Sequence, residues 1–313
     1  DPELLGQIFE NLLASYNPET KTTARKQPGS FYTPREIVNY MVDESLLAYL
    51  KQKLEDAGIK EKEDSLRDLV SYSEDPSPFN IQETKLLIAA IDNCKILDPA
   101  CGSGAFPMGI LHKLVHILHK LDPDNERWRE IQKQKAIRET EDAFKIGDKQ
   151  DREDRLIEIN DVFENNLGDY GRKLYLIENC IYGVDIQPVA TQISKLRFFI
   201  SLIVDQKVNT KKDNFGIRPL PNLETKFVAA NTLIGIEKPK AQITFGSAEV
   251  KALEEQLKDV RHRLFSAKTP ATKRKLREDD KAFREQMGDL LIKSGWENET
   301  ARQLAGWDPY DQN

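Results

Sequence analysis

Leu97-Asp98-Pro99-Ala100-Cys101-Gly102-Ser103-Gly104-Ala105-Phe106 is the stretch on which the fold turns. The residues just before it, Cys94 to Asp98, read as a short strand ending in an acid. The chain then bends through two glycines, and a helix is expected from near Ala105 to about His119. Glycine has no Cβ, so such a turn is tight and a ligand approaches its backbone closely. The helix that follows offers unpaired N–H groups and the positive end of its dipole. Dinucleotide folds use a similar turn, but their fingerprint needs a third glycine or alanine three residues on. Pro107 stands there and breaks that pattern. The carboxylate of Asp98 also repels a pyrophosphate and suits an ammonium group.

Moving outward, Tyr182-Gly183-Val184-Asp185-Ile186-Gln187-Pro188 ends a second strand, Ile181 to Asp185, in another acid. Such an acid accepts both hydroxyls of a ribose, and the apolar Ile186 beside it covers an adenine face. Alone, Asp185 reads equally well as a helix N-cap; paired with the first turn, the ligand reading is favoured. Dinucleotide folds place their acid about 20 residues after the turn. The longer gap here is explained by a helical insertion at about 122–172, dense in mixed charge. A helix from Pro188 to Val204 follows, with Ile193, Leu196, Phe199, Ile200 and Ile203 as its apolar residues. Strand and helix alternate, which predicts a parallel sheet covered by helices.

Towards the N-terminus, residues 1–16 carry Leu4, Leu5, Ile8, Phe9, Leu12 and Leu13 on one helical face, and a polar, turn-rich loop follows. Residues 31–50 read as a helix with Thr33 as N-cap, Pro34 at the first position and Glu36 three residues after the cap. Residues 50–75 are charged and loosely helical. Towards the C-terminus, 248–294 read as two antiparallel charged helices broken at Thr269-Pro270, with Leu253, Leu257, Val260 and Leu264 as a narrow stripe. The expected organisation is an N-terminal helical part (1–50), an α/β ligand-binding domain (51–245) and a charged helical hairpin with the end of the chain (246–313).

Composition narrows the class. Of 313 residues 39% are hydrophobic and 31% charged, with a mean hydropathy of -0.58, which suits a water-soluble core with polar helices attached. No apolar run approaches the roughly 20 residues that span a bilayer, so no membrane partner is expected. Cys94, Cys101 and Cys180 are odd in number and unpaired in spacing, against a disulfide framework or a zinc site and in favour of a cytoplasmic setting. A net charge of -6 argues against a wholly basic nucleic-acid-binding surface. The first residues, with no initiator Met, read as an internal start.

Taken together these segments resemble the gamma-order DNA adenine methyltransferases of type IIG restriction-modification enzymes, and are also similar to type I modification subunits. Residues Gly29 to Val42 are similar to that family's first segment, Leu97 to Phe106 to its central motif, Asn179 to Leu202 to its ribose-binding segment and Phe227 to Gly235 to its next strand end. The resemblance implies a doubly wound, mostly parallel, Rossmann-like sheet binding S-adenosylmethionine. It places Phe31, Tyr32 and Thr33 on the methionine side, with Asp98, Ala100, Gly102, Gly104 and Phe106 around the amino acid and sulfonium. It gives Asp185 the ribose hydroxyls, Ile186 the adenine face, Asn231 the adenine amine and the Thr232 N–H a ring nitrogen. Asn231 stands where the family carries an acid; its amide oxygen still accepts. The implied partner is double-stranded DNA, held largely by regions outside this chain, and a nuclease domain in the same parent protein stays open. A dinucleotide-dependent oxidoreductase domain and a non-catalytic, cofactor-sensing scaffold remain alternative readings.

No catalytic residue is assigned. The family's Asn-Pro-Pro-aromatic motif occurs nowhere in the sequence, and Asp308-Pro309-Tyr310 lacks a proline and a preceding apolar strand. His112, His116 and His119 share helical spacing without a carboxylate or thiol to match, and read as a solvated face, with no metal expected. The run Lys273 to Arg284 is a candidate phosphate-contacting face, but its interleaved acids favour a salt-bridged exposed helix. Trp128, Trp296 and Trp307 read as local packing anchors.

Overall fold

The computed structural model describes residues 33–144, 168–206, 208, 210–211, 213–217, 220–234, 248–267 and 269–310, with Ile8, Arg152, Glu153, Leu156 and Asn160 described singly. The expected N-terminal helix, the loop after it, Phe31 and Tyr32 therefore lie outside the described residues, Ile8 excepted. Among the described residues the order is α1 (Arg35–Asp56), α2 (Glu63–Val70), α3 (Ile81–Asp92), β1 (Ile96–Asp98), α4 (Ala105–Leu121), α5 (Glu126–Ala143) and α6 (Asp169–Asn179). There follow β2 (Ile181–Asp185), α7 (Pro188–Ile203), β3 (Phe227–Ala229), α8 (Ala248–Ser266), α9 (Pro270–Lys293) and α10 (Asn298–Gly306). The three strands make one small parallel sheet in the order β1-β2-β3. Gly183, Val184 and Asp185 stand opposite Phe227, Val228 and Ala229. Each strand-to-strand connection runs through helices, as a parallel sheet requires.

The chain divides into two compact units: 1–97, 105–182 and 200–207 form the first, and 98–104, 183–199 and 208–313 the second. The division cuts β1 after Leu97 and β2 after Tyr182.

The first unit is a helical core. Leu46, Leu50 and Leu54 of α1, Leu66 and Leu69 of α2, Leu87 and Ile91 of α3 and Leu111, Leu114 and Leu118 of α4 are all buried. The start of α1 differs from expectation. Thr33 makes no cap: Pro34 occupies the cap position with ψ 146, and no side chain bonds the helix start. A residue before proline is driven to extended backbone, and Pro34 is extended too, so the helix begins a residue late and out of reach of the Thr33 hydroxyl. Helix α3 has a full capping box instead, Asn80 accepting from the Gln82 and Glu83 N–H groups and Glu83 accepting from the Asn80 N–H.

Two buried cations of this unit are paired with acids. Lys113, 2% exposed, donates to the Val70 carbonyl at 2.8 Å, pairs with Asp43 at 3.0 Å and lies 3.6 Å from the Tyr72 ring centre. Arg172 pairs with Asp122 at 2.6 Å, and Asp122 also accepts from the Arg127 and Trp128 N–H groups at the start of α5. His116 is not solvated as expected: it bonds the Ser71 carbonyl at 2.8 Å and stacks near Tyr72. Trp128 is buried, as a packing anchor should be.

In the second unit α8 and α9 pack as the expected hairpin, with Val260, Leu264, Ala267 and Leu276 in its core and Phe283 and Tyr310 against it. Thr269 caps α9, and Pro270 opens it. Asp280 is fully buried and held by Arg261 at 2.8 Å and Arg284 at 2.7 Å. Arg284 also donates to the Ala305 and Trp307 carbonyls. The expected salt-bridged face of α9 is absent: among the described residues Asp280–Arg284 is the one ion pair within this helix, and it is buried. Trp296 is buried, but Trp307 is 44% exposed and anchors little.

Candidate functional site

The Gly-rich turn and the ends of β2 and β3 lie together in the second unit, joined by a closed circuit of hydrogen bonds. The Gly102 N–H donates to one Asp185 oxygen at 2.9 Å, and the Gln187 N–H to the other at 2.8 Å. The Ala230 N–H donates to the Asp185 carbonyl at 2.9 Å. Thr232 closes the circuit, its hydroxyl donating to the Pro99 carbonyl at 3.1 Å. Asp185 therefore tethers the turn to the sheet, and it is not the helix N-cap, since it ends β2 and α7 starts only at Pro188. Asp98 bonds the Ala100 N–H at 3.1 Å, which bends the chain sharply off β1.

Glycine is required at two places. Gly104 has φ +83, and a Cβ there would lie 2.8 Å from the Ser194 Oγ. A Cβ on Gly183 would lie 2.7 Å from the Phe227 ring and 2.9 Å from the Cys101 sulfur. The turn sits tight against helix α7 and strand β3, which is why both positions exclude a side chain.

Helix α7 supplies supports that the sequence pattern did not reveal. Ser194 donates to the Gly102 carbonyl at 3.0 Å, and Arg197 to the Ser103 carbonyl at 2.9 Å and its hydroxyl at 3.3 Å. Both are buried, whereas Leu196 and Ile203, expected on the apolar face, are substantially exposed. The i, i+3 spacing of Ser194 and Arg197 inside an otherwise apolar helix was the available signal.

The other sequence candidates do not all lie at this circuit. Ile186 is 65% exposed beside Asp185, an apolar side chain left open to solvent. Asn231 and Thr232 are exposed at the end of β3, and the Asn231 Oδ1 accepts from the Leu233 N–H at 3.0 Å. Ala100, Gly102 and Gly104 lie in the turn itself. Thr33 and Phe106, both half-buried, belong to the first unit. Asp308 and Tyr310 are engaged in the hairpin: Asp308 lies 3.7 Å from Arg284 and accepts from the Tyr310 N–H, and the Arg277 guanidinium stands over the Tyr310 ring.

The electrostatics of the circuit are lopsided. Among the described residues no cation lies within ion-pair distance of Asp98 or Asp185. Burial raises the Asp98 pKa; the Ala100 N–H opposes the shift, and the Asp185 charge adds to it. Burial and the same two carboxylates push the Cys101 thiol up to about 12, so it stays protonated and unreactive. Two acids without a counter-cation, an exposed apolar side chain and a turn of backbone suit a ligand bearing positive charge, hydroxyls and a flat ring. Among the described residues no cluster of His, Cys, Asp or Glu has metal-binding geometry.

Residues 179–298 match the Eco57I restriction-modification methylase family. That span opens just before β2 and takes in Asp185, Ile186, Asn231, Thr232 and the whole α8–α9 hairpin. A protein of Methanocaldococcus jannaschii, named as a type II restriction enzyme and methyltransferase, is 26% identical over 239 residues. By both comparisons the chain is similar to restriction-modification methylases. The similarity covers 75% of this chain but 16% of the relative, so the methylase-like chain spans about one sixth of that protein's length. No solved structure matches it. The described residues contain no helix long and apolar enough to cross a membrane.

Proposed function

We propose that this chain is the S-adenosylmethionine-binding part of a DNA methyltransferase acting on the exocyclic amine of adenine, in a restriction-modification or phage-defence protein. The observation that carries it is the circuit joining two carboxylates, Asp98 and Asp185, at adjacent strand ends with no cation partner among the described residues. The relationship to restriction-modification methylases supports the same reading. The strands are then the middle of a doubly wound, Rossmann-like sheet, and double-stranded DNA is the partner. A nuclease in the parent protein accords with the name of the relative.

When bound, the cofactor supplies an activated methyl group on its sulfonium. The chain's own residues bind and orient. Asp98 faces the ammonium of the methionine part, and the backbone of Ala100, Gly102 and Gly104 follows its length. Asp185 keeps lone pairs for the ribose hydroxyls after accepting two N–H groups. Ile186 lies on the adenine face, and Asn231 and the Thr232 N–H read its edge. These residues would hold the cofactor in a single orientation, which is the alignment that methyl transfer needs.

Titration calorimetry with S-adenosylhomocysteine and, separately, with NAD tests the reading. Heat is expected with the first alone. Asp185→Ala should weaken that binding by about 1.5–3 kcal/mol, the range for hydrogen bonds to a charged group. Folded, ligand-free protein that ignores S-adenosylhomocysteine, or that takes NAD instead, rules the assignment out.

A further inference from the structure

We propose that the exposed face of α9 around Arg274, Arg277 and Lys281 seats the backbone phosphates of duplex DNA. For its occupant the inference rests on the DNA-methyltransferase reading; for its site it rests on separate observations. Lys273, Arg277 and Lys281 recur at every fourth residue, with Arg274 beside them. These four cations, with Pro270, Glu278 and Asp308, line a groove of about 450 Å³.

Two acids that could neutralise this face are engaged by other cations. Among the described residues no carboxylate lies within ion-pair distance of Lys273, Arg274 or Lys281. Asp280, the acid in the middle of the run, is turned inward and fully buried between Arg261 and Arg284. Asp308, at the groove's edge, faces Arg284 at 3.7 Å. Arg277 has a carboxylate near it, Glu224 at 3.3 Å. Positive charge is thus gathered here in a chain whose net charge is -6. The α9 N-terminus, opening at Pro270, adds the positive end of its dipole beside Lys273 and Arg274.

The geometry favours an extended polyanion over a single small anion. Eight residues of helix separate Lys273 from Lys281, a rise of about 12 Å. That is the reach of about three or four phosphates of one strand at an axial spacing of about 3.4 Å. Long cationic side chains open to solvent are what counterion release needs. They hold a duplex without reading its bases.

The test is fluorescence anisotropy of a labelled, mixed-sequence duplex titrated with the chain at salt from about 50 to about 200 mM. Three proteins are compared: the wild type, Arg274→Glu/Lys281→Glu, and a control of equal charge change, Lys251→Glu/Lys258→Glu, on the exposed side of α8. Each phosphate contact contributes about 0.9 to the slope of log affinity against log salt. The groove variant should therefore lose about 1.8 in slope and about tenfold or more in affinity at the lowest salt. The control should stay near the wild type, and all three should bind S-adenosylhomocysteine alike. A wild-type slope in the groove variant, or an equal loss in the control, overturns the proposal. So does a chain that binds S-adenosylhomocysteine and no duplex at the lowest salt, which leaves the cofactor assignment standing. Absence of S-adenosylhomocysteine binding sinks the functional reading instead, and the duplex titration still reports on the groove.

Discussion

Asp92, the last residue of α3, ionises against its surroundings. Burial raises its pKa from 3.8 to about 6; Arg172 opposes the shift and Asp122 adds to it. An acid whose pKa is higher folded than unfolded favours the fold when protonated. Its contribution is present below about pH 4 and is lost as the pH rises through about 6. At neutral pH the ionised carboxylate costs about 1–3 kcal/mol, a tenfold change in its ionisation constant being worth about 1.4 kcal/mol. Asp92→Asn removes that ionisation and leaves its backbone carbonyl free to accept from the Tyr175 hydroxyl. Urea melts should show the variant more stable than the wild type at about pH 7.5 and level with it at about pH 4. A gap that does not change with pH would show that the charge is harmless where it sits.

Between elements, the Asp122–Arg172 pair joins the end of α4 to α6 and caps α5. Arg172 donates to the Leu118 carbonyl, and Asp122 receives the first N–H groups of α5. Both side chains are almost wholly buried. Removing one partner strands the other's charge, so Asp122→Ala should cost about 3–5 kcal/mol by chemical denaturation. A loss below about 1 kcal/mol would mean that water replaces the carboxylate. This pair was not legible in the sequence, because Asp122 and Arg172 stand at opposite ends of a mixed-charge insertion and nothing local ties them. The Gly-rich turn, Asp185 and the start of α7 were legible, since each is set by backbone geometry within a few residues. Helix α3 carried its own signal in Asn80 and Glu83, a capping pair three residues apart. The α9 face misled for a physical reason: sequence spacing shows which charges are neighbours, and burial decides which of them face each other. Asp280 looked like a surface partner and became the hub of the hairpin.

At the scale of the molecule, the chain passes between its two compact units at 97/98, 104/105, 182/183, 199/200 and 207/208. β1 and β2 each contribute residues to both units. Neither unit can then lose its strands without disturbing the other's, and scanning calorimetry should record one transition, moved upward as a whole by S-adenosylhomocysteine. Two separate transitions, with ligand moving one of them, would show the units to be independent. The same five passages bear on how such a gene can be shuffled. A crossover placed between two relatives within residues 97–208 mixes parental halves inside both units at once, so chimaeras joined there inherit mismatched cores. Helices α8 to α10, by contrast, form one uninterrupted stretch of the second unit. A single in-frame exchange just before Ala248 transfers that hairpin, and its basic groove, intact. Recombination is therefore free to trade the charged face while the Gly-rich turn must be inherited with its whole neighbourhood.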